Sequence, residues 1–224
     1  MTYHQVRFPY HPGRAVVWEA VCAYLQRFIP DREPLLDLGA GYGDFSRYIH
    51  AGQKWALEAN PELKAWWPPE VRPLIQSALD PWPLEPGSLG TVFASNFFEH
   101  FTLEECRILL AEARRVLRPG GRLVVVQPNF QLQPGRYFDD YTHKTVFSHS
   151  GFCDFLGSLD WRILHVEPRF LPLEMKSRLP KRGWLVSLYL ALPYRPLAGQ
   201  FLAVATFGGK APVTSRTQPV SSRA

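Results

Sequence analysis

Two spacings of apolar residues alternate along the first part of the chain. From Arg14 to Phe28 the apolar side chains recur at helical spacing, which predicts a helix with one buried face. Short, nearly continuous apolar runs are typical of strands that are buried on both faces. Before residue 128, such runs occur at residues 34–38, 54–58, 71–76, 91–95 and 122–127.

Helix signals separate most of these strands. A helix is expected at about residues 44–51, and Pro61 occupies the favoured first position of a short one. Thr102-Leu-Glu-Glu105 is a capping box that opens a helix running to Leu117. This alternation of strands and helices predicts a parallel sheet that is covered by helices on both faces.

The pattern changes after Gln127. Residues 128–148 are polar, aromatic and irregular, and a short helix and a strand are expected within residues 149–166. A proline-interrupted basic and apolar segment then leads to a last strand at residues 200–206. We therefore expect one α/β domain with an elaborated C-terminal part. The final residues, 210–224, place their charges among Ser, Thr and Pro, which predicts a disordered basic tail.

The composition narrows the class of protein. Of 224 residues, 46% are hydrophobic and 20% are charged, which is typical of a folded globular chain. Cys22, Cys106 and Cys153 are too few and too scattered for a disulfide framework or a paired zinc site, so a reducing, cytoplasmic location is expected. The N-terminus lacks the apolar core of a signal peptide. The longest apolar run, Trp184–Pro193, is shorter than the ~20 residues of a membrane-spanning helix.

Charge is distributed unevenly along the chain. The net charge is +5, but residues 1–161 carry −3 and residues 162–224 carry +8. A basic C-terminal part favours an anionic partner such as phosphate or a membrane surface, and few features speak for nucleic acid. A cluster of cations directly precedes the apolar run from Trp184, so this segment could lie in a membrane interface. The alternative is a core-packing helix with an exposed basic turn. The cations are Lys176, Arg178, Lys181 and Arg182.

A glycine-rich loop joins the first predicted strand to the following helix. Its sequence is Asp37-Leu-Gly39-Ala-Gly41-Tyr-Gly43-Asp44. Glycines let the backbone turn sharply and approach a ligand closely. A dinucleotide fingerprint would have its third glycine at position 44, where this chain has Asp. The two carboxylates disfavour a pyrophosphate and favour a ligand that carries an ammonium and a sulfonium.

Together with three later segments, this loop resembles the class I S-adenosylmethionine-dependent methyltransferases. Residues 35–43 are similar to the first motif of that family, and Ala56-Leu-Glu58 to the second. Residues 93–100 are similar to the segment after strand four, and residues 115–123 to the turn into strand five. The resemblance implies a doubly wound, Rossmann-like α/β fold with a mostly parallel seven-stranded sheet whose last strand is antiparallel. It places the methyltransferase domain at residues 1–209, with substrate-side elaboration at 128–200.

The resemblance also implies the cofactor, S-adenosyl-L-methionine, and the residues that hold it. Asp37 and Asn96 would face the methionyl part, and Glu58 would accept hydrogen bonds from both ribose hydroxyls. Ser77-Ala78 stand where many members of the family carry an acidic residue that binds the adenine amino group. Which residues of this chain contact adenine is therefore undecided. Capping and turn roles remain the alternatives for Asp37 and Asn96. The complete predicted set is Asp37, Gly39, Ala40, Gly41, Gly43, Glu58, Ala59, Ser77, Ala78 and Asn96.

Candidate catalytic residues lie in the segment after strand five. His143 is the preferred general base because its ordinary pKa is near neutrality, and Asp140 could orient it across one helical turn. A purely structural His–Asp hydrogen bond is the alternative. His100 is a further catalytic candidate, although the family pair Glu99-His100 usually shapes the pocket wall. No metal is expected, because Asp139, Asp140, His143 and His149 include no helical histidine pair.

These patterns predict methyl transfer to a small polar acceptor, foremost a hydroxyl of a sugar or lipid-linked glycan intermediate. Residues 137–143 and the basic segment resemble a bacterial methyltransferase subgroup associated with cell-surface glycan or lipid-linked sugar synthesis. Location at the inner face of the membrane would follow from such an acceptor. The alternatives are a non-catalytic cofactor-binding or membrane-surface module and a nicotinamide-dependent reductase. Asp44 and the absence of a Tyr-x-x-x-Lys motif argue against the reductase.

Overall fold

One mixed sheet forms the centre of the protein. The computed structural model describes residues 10–172 and 182–208. The sheet has seven strands in the order β3-β2-β1-β4-β5-β7-β6. Strands β1 to β5 pair in parallel, and β7 pairs antiparallel with β5 and β6. The strands are β1 (Leu35–Leu38), β2 (Lys54–Glu58), β3 (Arg72–Ile75), β4 (Leu89–Ser95), β5 (Leu117–Pro128), β6 (Arg162–Glu167) and β7 (Gln200–Thr206). The predicted fold class and the antiparallel last strand are confirmed.

Helices connect and cover these strands. The α-helices are α1 (Gly13–Leu25), α2 (Asp44–Tyr48), α3 (Leu103–Val116), α4 (His149–Gly157) and α5 (Gly183–Ala191). Short 3₁₀ helices occupy Gln26–Phe28, Pro61–Trp66, Phe98–His100 and Pro134–Asp139. The predicted capping box begins α3, because Thr102 Oγ1 accepts from the Glu105 N–H at 3.2 Å and the Glu105 carboxylate accepts from the Thr102 N–H at 2.7 Å.

The core lies on both faces of the sheet. Alternate residues of the central strands point to opposite sides, so Val92 and Val125 join one apolar cluster while Phe93 and Val124 join the other. Helices α3 and α4 cover the first face, and α1, α2 and α5 contribute to the second. This two-sided burial explains why the strands read as continuous apolar runs in the sequence.

The strand order reverses between β1 and β4, which are neighbours at the centre of the sheet. Ligands of open α/β sheets bind at the carboxyl ends of the strands at such a reversal. Residues 39–43 follow β1 there, and residues 96–100 follow β4. The fold therefore brings the two motif segments to the same edge.

Part of the predicted basic segment lies outside the described residues, namely Lys176, Arg178 and Lys181, and so does the predicted tail at 210–224. Arg182 directly precedes α5 and is exposed. No helix within the two described ranges is long and apolar enough to span a bilayer.

Candidate active site

The glycine loop after β1 is held in a conformation that suits glycine. Gly39, Gly41 and Gly43 have φ values of 71°, 53° and 72°, in the left-handed region that side chains disfavour. A Cβ at Gly39 would overlap the Phe97 ring, and one at Gly43 would lie 2.6 Å from the Trp67 ring. Backbone conformation and close aromatic packing both require glycine in this loop.

Glu58 connects the end of β2 to this loop. The residue is 9% exposed, and its carboxylate accepts hydrogen bonds from the Gly41 N–H at 3.1 Å and the Asn60 N–H at 3.0 Å. A carboxylate has about four acceptor positions, so two remain available for a pair of adjacent hydroxyls. The residue therefore fits the ribose role that the sequence predicts.

Asp37 is buried at the end of β1, where Ser46 Oγ donates to its Oδ2 at 2.7 Å. Burial raises the pKa of Asp37 to about 7, against a smaller lowering by the Ser46 hydrogen bonds. The neighbouring charges of Asp44 and Glu58 make a smaller contribution to this raised pKa. A cationic ligand beside this group would stabilise its charged form, which fits a sulfonium cofactor.

The sequence predicts that the Asp44 carboxylate favours a cationic ligand, but in the structure this carboxylate is paired with an arginine of the chain itself. Its Oδ2 lies 2.7 Å from both Nε and Nη2 of Arg14 in α1, and both side chains are buried. The guanidinium neutralises the carboxylate and ties α1 to the beginning of α2. The two residues are 30 positions apart, so no local signal in the sequence indicates this ion pair.

Ser77 and Ala78 lie in the turn after β3. Ser77 is exposed, and its Oγ accepts from the Leu79 N–H at 3.2 Å. Ala78 is buried, and its carbonyl accepts from Trp82 Nε1 at 2.9 Å. The adenine contact stays a prediction. Ala59, the residue after Glu58, is exposed, and the Ala40 N–H donates to the Leu57 carbonyl at 3.1 Å.

Asn96 ends β4 in a left-handed conformation with φ 48°. Its N–H donates to the Val126 carbonyl at 2.8 Å, and its Oδ1 accepts from Gln200 Nε2. The side chain is exposed at the same edge as the glycine loop. This position is compatible with the predicted contact to the methionyl group.

Three titratable side chains, Glu99, His100 and His143, form a cluster beside the loop. The Glu99 carbonyl accepts from the N–H groups of Lys144 and Thr145 at 2.7 and 3.2 Å, which draws the segment after β5 onto the 3₁₀ helix at Phe98–His100. As a result, His100 Nε2 and His143 Nε2 each lie 3.9 Å from Glu99 Oε1. We call these three residues the Glu99 cluster.

Asp140 joins this cluster through Thr142. Its Oδ1 accepts from the Thr142 N–H at 3.0 Å and from Thr142 Oγ1 at 2.7 Å, and Thr142 Oγ1 lies 2.8 Å from His100 Nδ1. The fold thus brings together the three predicted catalytic residues, His143, Asp140 and His100. Sequence reasoning missed Glu99 as a member, although it lies in the motif after β4.

Burial controls the charges of the cluster. Burial of Glu99, which is 0% exposed, and to a smaller extent the Asp140 charge raise its pKa to about 8, although hydrogen bonds with its own backbone and with the Gln127 side chain lower it. Burial and the neighbouring His143 lower the pKa of His100 to about 4, against a smaller raising by the Asp140 charge and by hydrogen bonds to the backbone of Thr142 and Asn96. At neutral pH, His100 is therefore neutral and Glu99 is largely protonated.

The Phe97 ring links the cluster to the glycine loop. It lies against Gly39, and residues 98–100 follow directly along the chain. Phe97 also contacts Phe98 and Phe101, with ring centroids 5.5 and 4.8 Å apart. The cofactor loop and the titratable cluster are consequently neighbouring parts of one site.

Comparison with known proteins agrees with this geometry. Residues 36–125 match the family model described as a methyltransferase domain. The chain contains a methyltransferase domain. The matched range runs from β1 into β5 and includes the glycine loop, Glu58 and the 3₁₀ helix that carries Glu99. The cofactor of this methyltransferase is S-adenosylmethionine, whose ribose and sulfonium fit Glu58 and Asp37.

Solved structures share the methyltransferase's fold. A SAM dependent methyltransferase from Archaeoglobus fulgidus is 19% identical with a TM-score of 0.63, over 91% of this chain and 97% of that one. The protein bound to the Haloferax volcanii Trm112 methyltransferase activator is 16% identical with a TM-score of 0.65, over 87% and 91%. A geranyl diphosphate C-methyltransferase from Streptomyces coelicolor A3(2), solved with S-adenosyl-L-homocysteine, is 14% identical with a TM-score of 0.59, over 84% and 78%. No curated protein matches the sequence.

Proposed function

We propose that this methyltransferase methylates a hydroxyl of a small polar acceptor, a sugar or a lipid-linked glycan intermediate. The observation that carries the proposal is the position of His100, Asp140 and His143 next to the loop that holds the cofactor. When bound, S-adenosylmethionine supplies an electrophilic methyl group on a sulfonium. A hydroxyl acceptor also needs a group that takes its proton, and titratable side chains are present at this place.

Each residue has a separate task in this proposal. Glu58 holds the ribose, and its hydrogen bonds to Gly41 and Asn60 fix the loop around the cofactor. His143 accepts the proton of the acceptor hydroxyl. Asp140 and Thr142 hold His100 in place through hydrogen bonds. The His100 ring in turn contacts the His143 ring, with centroids 5.1 Å apart, and so positions His143 beside the acceptor. Holding both reactants near attack geometry supplies much of the rate.

Exposed aromatic side chains favour a sugar as acceptor. Phe138 and Tyr141 are 56% and 73% exposed, and both lie on the segment that carries His143. A pyranose presents C–H faces that pack on aromatic rings, while its hydroxyls need polar partners. The segment that carries His143 has both the aromatic rings and the polar side chains that a sugar would need.

Replacing His143 tests the acid–base part of the proposal. His143→Ala should lower kcat by about 10²–10⁴-fold and leave cofactor affinity near that of the wild type, because the residue acts on the acceptor. Transfer of labelled methyl to candidate glycans measures the rate, and calorimetry measures the affinity. His50→Ala, an exposed histidine remote from the site, is the control. Loss of rate and affinity together would indicate a structural role instead.

A lipid-linked acceptor would require contact with a membrane surface. Trp184 and Leu188 are 62% and 55% exposed on α5 and lie one helical turn apart, next to the exposed Arg182. We infer that this face and the preceding cations lie on anionic lipid. Each cation near such a surface contributes ~1 kcal/mol, so the association should weaken as salt rises.

Sedimentation with anionic vesicles at low salt tests the membrane contact. The unmodified protein should sediment, and changing Lys176, Arg178, Lys181 and Arg182 to Gln should abolish this while cofactor binding persists. A variant with Lys64→Gln and Arg107→Gln removes charge elsewhere and should still sediment. If the unmodified protein stays in the supernatant, the proposed membrane contact is wrong.

A further inference from the structure

Asn96 lies between the glycine loop and the two histidines. Its neighbour Phe97 packs against Gly39 of the loop, and the Asn96 carbonyl accepts a hydrogen bond from the His100 ring. The centroid of the His100 ring lies 5.1 Å from that of the His143 ring. In a methyl transfer, the cofactor methyl group and the acceptor meet at one point. Asn96, which is exposed, therefore lies where the proposed acceptor reaches the cofactor.

The backbone of Asn96 is held in an uncommon conformation. Its φ of 48° lies in the left-handed region, which asparagine adopts more readily than most residues. Its N–H donates to the Val126 carbonyl at 2.8 Å, and the His100 ring donates to its carbonyl. Bonds to two separate elements thus fix the point from which the Asn96 side chain leaves the backbone. Residues held in this way concentrate at functional sites.

Gln200 determines which end of the Asn96 amide faces the site. It is the first residue of β7, and antiparallel pairing with Pro128 brings it to the carboxyl edge of the parallel strands. Gln200 is 5% exposed, and its N–H donates to the Leu171 carbonyl at 2.9 Å. Its side-chain Nε2 donates to Asn96 Oδ1. Because an amide nitrogen only donates, this bond fixes the Asn96 oxygen toward β7 and the Asn96 nitrogen away from it.

The Asn96 side chain consequently presents N–H groups to the site. Among the described residues, its Nδ2 has one acceptor, Ser95 Oγ, at a distance of 3.5 Å, which is long for a hydrogen bond. Nδ2 carries two protons, so at least one of them remains for a ligand at this edge. A donor held in this direction binds an atom with a lone pair and disfavours a group that can only donate.

We propose that Asn96 donates a hydrogen bond to the acceptor oxygen, and that Gln200 is the positioning residue through which the site selects oxygen over nitrogen. A hydroxyl oxygen has two lone pairs, so one can accept from Asn96 while the other forms the bond to the methyl carbon. The electron pair of the broken carbon–sulfur bond goes to sulfur, and the hydroxyl proton goes to His143. A neutral amine has one lone pair, which the Asn96 N–H would occupy, and an ammonium has none. This inference deepens the proposed function and rests on it.

Hydrogen exchange measured by NMR tests the direction of the Asn96 amide without any acceptor. The side-chain NH₂ signals of the two residues are assigned by their loss in Asn96→Asp and Gln200→Glu. With S-adenosylhomocysteine bound to the wild-type protein, the Gln200 N–H that donates should exchange with water more slowly than the Asn96 NH₂ protons do. The opposite order would mean that the Asn96 oxygen faces the site, and it would overturn the proposal.

Paired sugars test the selection of oxygen. The probes are methyl glycosides of glucose, galactose and mannose, together with matched glycosides in which one hydroxyl is replaced by an amino group. The wild type should methylate the hydroxyl and not the amine. Asn96→Ala should lower kcat for the hydroxyl by about 10–100-fold, the effect of losing a hydrogen bond to a group that becomes charged. Its affinity for S-adenosylmethionine should stay near that of the wild type.

A double-mutant cycle tests whether Gln200 acts through Asn96. Gln200→Leu should lower kcat in the wild-type background and have no further effect in the Asn96→Ala background. If Gln200→Leu does not fold, the isosteric Gln200→Glu takes its place in the cycle. Gln53→Leu is the control, because Gln53 precedes β2 at the opposite edge of the sheet and should keep the wild-type kcat.

Each other outcome has a definite meaning. Additive effects in the cycle would overturn the positioning role of Gln200. A loss of cofactor affinity in Asn96→Ala with unchanged kcat would assign Asn96 to the methionyl group and overturn the proposal. Equal methylation of the hydroxyl and amine probes would overturn the selection of oxygen and leave the proposed function standing. If no hydroxyl probe is methylated, the proposed function fails for these sugars, while hydrogen exchange still decides the direction of the amide.

Discussion

Cofactor affinity should depend on pH through Asp37. Burial raises the pKa of this carboxyl from 3.8 to about 7 in the free protein. A bound sulfonium and ammonium favour the charged carboxylate, so binding should return the pKa toward its ordinary value and release a proton. The charged groups that face Asp37 are Asp44, which Arg14 neutralises, and Glu58. Affinity should therefore rise as pH rises toward 7.

The magnitude follows from the pKa values. With full restoration of the ordinary pKa, affinity at pH 5 should be about 50-fold lower than at pH 7, equivalent to about 2.3 kcal/mol. S-Adenosylhomocysteine carries no sulfonium charge and should show a smaller change. Calorimetric titrations at pH 5, 6 and 7 measure both ligands.

Asp37→Asn identifies the responsible group. The amide oxygen can still accept from Ser46 Oγ, so the local hydrogen bond is kept while the titration is removed. The variant should bind with an affinity that changes little between pH 5 and 7. Asp154→Asn, an exposed change on α4, should behave as the wild type does. The same pH dependence in Asp37→Asn and wild type would show that a group other than Asp37 controls the affinity.

Two further variants test the loop and its support. Glu58→Ala should weaken S-adenosylmethionine binding by ~1–3 kcal/mol, since the ribose hydroxyls lose their acceptor, and an unchanged calorimetric affinity would contradict the ribose role. Arg14→Met leaves the Asp44 carboxylate buried without its partner, so urea denaturation should show a loss of about 3–5 kcal/mol in unfolding free energy. Adding Asp44→Asn should recover part of that loss, and no recovery would argue against the ion pair as its cause.

The order and type of the elements could be predicted from the sequence because apolar runs and caps are local signals. Strands β2 and β7 begin and end where their patterns predict. Helix α2 ends at Tyr48, before the predicted residue 51, because Ile49 adopts an extended backbone and is buried in the core. Strand β5 begins at Leu117, before the predicted Arg122, because Leu117 pairs with Leu89 ahead of an irregularity in the ladder.

The site was predictable only at the level of its motifs. The glycine loop and Glu58 follow from spacing, since both lie at ends of neighbouring strands. The Arg14–Asp44 ion pair and the approach of His143 to Glu99 join residues far apart in the chain. Such pairings depend on how distant segments pack in three dimensions, so they cannot be predicted from the spacing of residues along the chain.

Packing explains the glycine near the beginning of β4. A Cβ at Gly90 would overlap the Glu33 side chain. Glu33 forms an ion pair with Arg118 beside this position. The close approach of the Glu33 side chain therefore requires glycine at position 90.

The loop at Gly39–Gly43 and Glu58 should bind S-adenosylmethionine and not a dinucleotide. Calorimetric titration of the wild-type protein with S-adenosylmethionine, S-adenosylhomocysteine and NAD at pH 7 tests it most directly. We expect micromolar-range binding of the first two ligands and no heat of binding for NAD. Binding of NAD, or no binding of either adenosyl ligand, would show that this loop is not an S-adenosylmethionine site.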